Sequence, residues 1–394
     1  MSLLQDDFLN YQAKTTPHPL GIEVKRAKGS YITANSGKKY LDFVAGVSAC
    51  TLGHCHPKVV SAIRKQAKKY MHVMVYGEFA QEPAVHLAKE LIALLPDNHH
   101  SVYLTNSGTE AIEGALKLAK RATGRGELIG AVNSYHGSTH GALSLLGSEH
   151  QKVGYRPLLP NIRFIRFNSE EDLSLITTKT AAVLLETIQG GAGFILPEND
   201  FLKKVKDRCE ATGALLILDE IQPGFGRTGR FFGFEYFNVK PDIIVLGKGM
   251  GGGLPVGAFT ASHELMSLLE DNPKLGHITT FGGNPLIAAA CLATLKVIRD
   301  SKILQEIPEK EALFRSELNH PKIKSIHGKG LMLAPILENP EQANQVILKC
   351  IDRGLLLFWL LWEKKALRIS PPLTISRKEI KKGCAILRSV LDEI

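Results

Sequence analysis

The chain has 394 residues, 44% of them hydrophobic and 22% charged, and a formal net charge of +9. That length suits two domains, or one large domain with a smaller companion, and the composition excludes a disordered or fibrous chain. The positive charge does not itself point to nucleic acid. The densest basic stretches, Arg64–Lys69 and Arg377–Lys382, lie on amphipathic helical patterns without interleaved aromatic residues.

From the N-terminus, Met1–Gln12 carries acids and no long apolar core, so no signal peptide is read there. Tyr31–Ile32 and Tyr40–Phe43 read as a hairpin. Strand-like runs follow at Val102–Thr105, Leu128–Val132, Ile162–Phe167, Ala182–Glu186, Leu215–Leu218, Ile243–Leu246 and Val256–Thr260. Helical periodicity separates several of them, as at Ala111, Ile112, Ala115, Leu118, Ala119 and Ala122, and again over Phe201–Ala211. This alternation predicts an α/β domain with a mostly parallel, seven-stranded sheet.

After a helix beginning near Pro285 the style changes to mixed helices and short strands. The last helix opens on a capping box, Ser376 with Glu379. The expected division is 1–48, an N-terminal segment joining the small domain; 49–295, a large α/β domain; and 296–394, a small α+β domain. The greasiest run, Leu355–Trp362, is too short to span a bilayer. The six cysteines (Cys50, Cys55, Cys209, Cys291, Cys350 and Cys384) show neither a C-x-x-C pair nor zinc spacing. Together these features predict a reduced, cytoplasmic protein with no metal site, no membrane and no nucleic-acid partner.

The chemistry gathers where predicted strands end. Lys248 follows Ile243–Leu246 and precedes Gly251, Gly252 and Gly253. A solvated turn lysine is the bland reading, but so many glycines imply a backbone kept clear of something. Gly247, Gly249 and Gly252 satisfy G-x-G-x-x-G by the letter, yet they lead into a strand where that motif must open a helix. A P-loop fails too, because Asp242 and Gly249 stand where it needs glycine and a hydroxyl residue.

Asp219 ends another buried run, and Tyr135 with His136 follows a third. Asn106-Ser107-Gly108-Thr109-Glu110 joins a strand to a helix. Taken singly these read as a cap, core packing and a capping box. Taken together they are an amine, an acid, an aromatic wall and a helix N-terminus suited to an anion, all at one sheet edge. An aldehyde cofactor bearing a phosphate and a pyridine ring needs those four things. Lys248 would anchor it and move a substrate proton.

From about Tyr31 to Leu373 the sequence resembles the class III aminotransferases of fold type I, which use pyridoxal 5'-phosphate. The resemblance rests on LGHCHP (52–57), SGTEA (107–111), SYHG (134–137), LDEIQPGFGRTG (218–229), LGKGMGGGLPVGA (246–258), TTFGGNP (279–285) and LRISPPL (367–373). It implies that Asp219 meets the pyridine nitrogen, Gln222 the ring hydroxyl, Ile221 the back face and Tyr135 the front face. Ser107 and His136 belong to the same cofactor set. Gly108 and Thr109 would bind the phosphate, joined by Thr280 from the neighbouring subunit of a homodimer. Val47, Ser138, Gly191 and Arg368 fall on the substrate side.

Two departures stand out. Relatives acting on acetylornithine, ornithine or 4-aminobutyrate usually read H-G-R-T and Q-G-E, where this chain has His136-Gly137-Ser138-Thr139 and Gln189-Gly190-Gly191. The missing arginine typically grips a substrate carboxylate, and the missing glutamate masks a second arginine, matched here by Arg368. The expectation is an Arg368 always open to the α-carboxylate of glutamate, 2-oxoglutarate, alanine or pyruvate, with Gly191→Glu masking it again. The readings kept beside aminotransferase are a decarboxylase or aminomutase on the same scaffold, and a nucleotide-binding module using Gly247–Gly252.

Overall fold

The computed structural model describes residues 2–74 and 77–394. Near its start, β1 (Val24–Lys28), β2 (Tyr31–Ala34) and β3 (Lys39–Asp42) form an antiparallel meander. The predicted hairpin is its second half, with Ile32 opposite Tyr40.

The central sheet comprises β4 (Ser101–Thr105), β5 (Glu127–Ala131), β6 (Ile162–Ile165), β7 (Thr180–Glu186), β8 (Leu215–Asp219), β9 (Ile243–Gly247) and β10 (Gly257–Ala261). Each predicted run became a strand, with ends shifted by a residue or two. Strand β6 stops short of Phe167 because the Arg166 backbone N–H is taken by the Asp172 carboxylate, 2.7 Å away. The spatial order is β4-β10-β9-β8-β7-β5-β6. Only β10 runs against the rest, pairing antiparallel with both β4 and β9.

Strand β7 shows how the sequence builds two cores at once. Its side chains alternate faces, as the strand period of two requires. Val183 and Leu185 join one apolar cluster with Phe201 and Val205, from the helix Phe201–Thr212. Ala182 and Leu184 join another with Ala111, Ile112 and Ala115, from the helix Gly108–Thr123. A strand buried on both faces must be apolar throughout, so a charge at its end is conspicuous. Each fully buried leucine or isoleucine contributes roughly 1.5–3 kcal/mol to this packing.

The C-terminal part adds β11 (Ser325–Lys329), β12 (Met332–Ile336), β13 (Leu355–Leu356), β14 (Phe358–Trp359) and β15 (Leu367–Arg368). Strand β13 pairs parallel with β3, so residues near the two ends of the chain share a sheet. The closing helix Arg377–Glu393 has the reciprocal cap read from sequence, Ser376 with Glu379. No described helix is long and apolar enough to cross a membrane.

Candidate active site

Because β4, β5, β7, β8 and β9 are parallel, their C-terminal ends meet on one edge, and each carries a polar group there. Lys248 begins a short 3-10 turn just past β9. Its φ of +38° is unusual for a residue with a side chain, and the surrounding packing must hold it there. The neighbouring glycines give way to protein. A Cβ on Gly249 would stand 2.5 Å from the Thr51 hydroxyl oxygen.

Asp219 closes β8, next to Lys248's strand, and is almost wholly buried. Its Oδ2 lies 2.8 Å from His136 Nδ1, and its Oδ1 accepts the Ile221 N–H at 2.9 Å. Opposite Asp219 on β7 sits Glu186. Its two oxygens accept the backbone N–H groups of Tyr135 and Gly190, at 2.9 and 2.8 Å. Glu186 thereby ties together the two loops that carry the aromatic wall and Gly191.

The helix Gly108–Thr123 starts at the end of β4, with the Ser107 side chain accepting the Glu110 N–H. The reciprocal half of the expected box goes elsewhere. The Glu110 carboxylate takes the Asn106 backbone and side-chain N–H groups at 2.8 and 2.9 Å, one residue upstream of the cap. The Thr109 hydroxyl pairs with Thr139 at 2.7 Å. Gly108 lies so close to Ile221 that a Cβ would be 2.6 Å from its Cδ1, so no side chain fits between them.

These groups line one cavity of about 530 Å³. Around Lys248 and Asp219 it includes Gly108, Thr109, Tyr135, His136, Ile221 and Gln222. Its outer part includes Val47, Ser138, Gly191 and Arg368. Val47 stands in a run of four left-handed residues, with φ of 50°, 58°, 57° and 68° from Ala45 to Ser48. Such a run is costly for a β-branched residue. Asp42 holds it, accepting the Val44 and Ala45 N–H groups at 2.7 and 2.9 Å. Two predicted residues do not line the cavity: Ser107, which caps the helix, and Thr280, which is exposed elsewhere on the chain.

Charge in the cavity is crowded and enclosed. Part of Lys248's surface opens to the cavity, yet burial holds its ammonium below the ordinary lysine range; Arg368 adds to this, while Asp219 and Glu186 oppose it. Burial pushes the Glu186 carboxyl up to about 7, with His136 opposing and Asp219 adding. Arg368 is brought down to about 10 by burial, with Glu186 opposing. Its Nε donates to the Trp359 carbonyl at 3.3 Å, and Nη1 has no partner among the described residues.

Sequence reasoning missed Glu186 and the strap 358–362, which carries three aromatic rings. The signal for Glu186 was the one that exposed Asp219, an acid ending an apolar run. For Gly191 the expectation changes. Its Cβ position is already taken, 2.8 Å from the Trp362 indole nitrogen, and its carbonyl accepts the Trp362 N–H at 2.9 Å. Gly191→Glu would first have to displace that indole, so it cannot simply mask Arg368. Overpacking of this kind costs about 1–3 kcal/mol. Gly191→Ala alone should therefore lower the urea midpoint, and an unchanged midpoint would show that the slot is open.

An amine, a buried carboxylate on the adjoining strand, an aromatic wall and a helix N-terminus with a free first turn form a site for pyridoxal phosphate. The residues present fit it, and the fold is that of the fold type I enzymes. Residues 11–391 match the family model Aminotransferase class-III. Acetylornithine aminotransferase of Bacillus subtilis (strain 168) is 37% identical over 94% of this chain and 95% of its own length. The enzyme of that name from Methanocaldococcus jannaschii is 36% identical, over 95% and 94%. Ornithine aminotransferase from Toxoplasma gondii ME49 superposes with a TM-score of 0.91 at 29% identity, covering 99% of this chain and 95% of that one. A further structure of the Toxoplasma enzyme reveals partial occupancy of pyridoxal phosphate at its active site. The chain belongs to the class III aminotransferases, and it is a pyridoxal-phosphate-dependent transaminase.

Proposed function

We propose that this enzyme takes the amino group of an α-amino acid and passes it to a 2-oxo acid, holding the α-carboxylate of each on Arg368. The observation that carries this reading is the buried guanidinium with an unpartnered N–H, opening onto the cavity that contains Lys248. A desolvated cation with no ion pair among the described residues, and only Glu186 acting on it from a distance, favours the arrival of a carboxylate, and the arginine fork suits one.

Pyridoxal phosphate supplies an aldehyde that accepts the amino group and a ring that withdraws electrons. The chain's own residues do the rest. Lys248 Nζ would move the proton at the substrate α-carbon, and the burial that lowers its basicity favours the neutral amine that accepts a proton. Asp219 holds a proton at the ring nitrogen and is itself steadied by His136. The first-turn N–H groups of Gly108 and Thr109 would bind the phosphate, and Ser107 keeps that turn capped. Ile221 and Tyr135 would hold the two faces of the ring, and Gln222 would take its hydroxyl. Ser138 and Val47 bound the substrate side.

The same reading makes the enzyme a cytoplasmic homodimer, with the partner's Thr280 completing the phosphate site. Support comes from the exposed apolar residues Phe79, Ile278 and Phe281, close to Thr280 in the chain or around one cavity. It also divides the chain at 48/49 and 295/296, in keeping with the pairing of β3 and β13.

The test is a half-reaction. Amine donor alone should convert the bound cofactor to its amine form, read by absorbance, and 2-oxo acid alone should restore it. Arg368→Ala should lower kcat/KM for every carboxylate substrate roughly 100-fold or more, since breaking a desolvated pair costs about 3–5 kcal/mol. An unchanged value would remove Arg368 from the substrate site.

A further inference from the structure

The cavity's charges can be accounted for one by one. Apart from His136, which is committed to Asp219, Lys248 and Arg368 are the cations among its described lining residues. The acids are Asp219 and Glu186, and both carboxylates are bound by protein N–H groups or the histidine ring. One carboxylate can therefore be received, at Arg368. Among the described residues of this chain a second carboxylate finds no cation, and a distal ammonium finds no uncommitted acid.

Beside Arg368 the wall is apolar instead. Strands β14 and β15 place Phe358 directly opposite Arg368. Phe358 and Leu361 line the cavity and remain 40% and 45% exposed, although large and apolar. Trp359 turns its ring nitrogen away to Asn344, 3.2 Å distant, so this indole offers the cavity no donor. The strap is then locked over Gly191, whose carbonyl accepts the N–H groups of Trp362 and Glu363 at 2.9 and 3.3 Å. Trp362 fills the space a side chain at 191 would occupy, and its ring nitrogen is buried without a partner among the described residues.

We propose that the amino donor is an α-amino acid with a single carboxylate and an apolar side chain. Its carboxylate sits on Arg368 and its side chain lies against Phe358 and Leu361, and Trp362 enforces the choice by filling the slot over Gly191. This rests on Arg368 as the carboxylate site. Because both half-reactions use one cavity, the acceptor obeys the same rule, and pyruvate fits better than 2-oxoglutarate. Trp362 is a specificity-determining residue here, not a catalytic one.

The experiment uses holoenzyme and a panel of single donors: leucine, phenylalanine, alanine, glutamate, ornithine, N-acetylornithine and 4-aminobutyrate. Half-reaction kcat/KM should be at least about 10-fold higher for leucine or phenylalanine than for glutamate or N-acetylornithine, the scale on which an apolar pocket discriminates. A binding readout comes free of turnover, because both tryptophans of the chain, Trp359 and Trp362, lie in the strap. Addition of 4-methylpentanoate or 3-phenylpropanoate should change their fluorescence at lower concentration than glutarate does. Trp362→Phe should keep the ranking and Trp362→Ala should compress it, with circular dichroism confirming that both fold. The proposal is overturned if N-acetylornithine, ornithine, 4-aminobutyrate or glutamate outpaces the apolar donors, or if the ranking survives Trp362→Ala. If Arg368→Ala leaves leucine and phenylalanine untouched, the carboxylate site itself is misplaced, which is a separate failure.

Discussion

Replacing Lys248 with alanine is expected to reduce transamination by four orders of magnitude or so while the protein still folds. Loss of proton transfer alone removes roughly 10²–10⁴ in rate, and loss of the amine that exchanges with substrate adds to it. The fold should survive because the lysine amine is a destabilised group. Burial and Arg368 both disfavour its charge, and Asp219 and Glu186 only partly offset them. Deleting it removes a crowded amine and no hydrogen bond of the sheet. Turnover and thermal midpoint measured together decide the matter. A variant with near-normal turnover would mean that another base does the work.

Asp219→Asn should retain the cofactor and lose most of the turnover, by roughly 10²–10³ as for other single electrostatic contacts in an enclosed site. The amide has the carboxylate's shape, and its oxygen can still accept the Ile221 N–H now bonded at 2.9 Å. What it lacks is the negative charge, which no other free carboxylate in the cavity can replace. Glu186 points its oxygens at the Tyr135 and Gly190 backbone. Cofactor content by absorbance, set against kcat, separates the two effects. Equal turnover in variant and wild type would reduce Asp219 to a structural cap.

The central sheet was legible because β7, β9 and β10 are buried along their full length, so selection for apolar residues marks them without help from context. Lys248 and Asp219 were legible for the complementary reason, as polar groups placed where such runs end. Glu186 carries that mark equally, but it was read as the last residue of a strand and not as a wall of the cavity. The left-handed run at Ala45–Ser48 had no signal of its own. A valine at φ +57° is imposed by the Asp42 carboxylate and by Ser370, whose N–H and hydroxyl bond the Phe43 and Val44 carbonyls at 2.7 and 3.1 Å. Trp362 was hidden because its meaning lies in contact with Gly191, far away in the chain. Packing across a cavity leaves no periodicity to read.

The reversed strand β10 has a consequence for distance. It is wedged between β4 and β9, so the helix N-terminus at Gly108 and the amine-bearing turn at Lys248 stand two strand widths apart, about 9.5 Å at the usual ladder spacing. Asp219, on β8, is one width beyond Lys248. The sheet thus works as a ruler graduated in backbone hydrogen bonds, setting anion cradle, amine and acid at fixed marks along one edge. Side-chain exchange can change what stands at a mark but cannot move the mark, so a substitution at Gly108, Lys248 or Asp219 alters the chemistry on offer and leaves the spacing as it is.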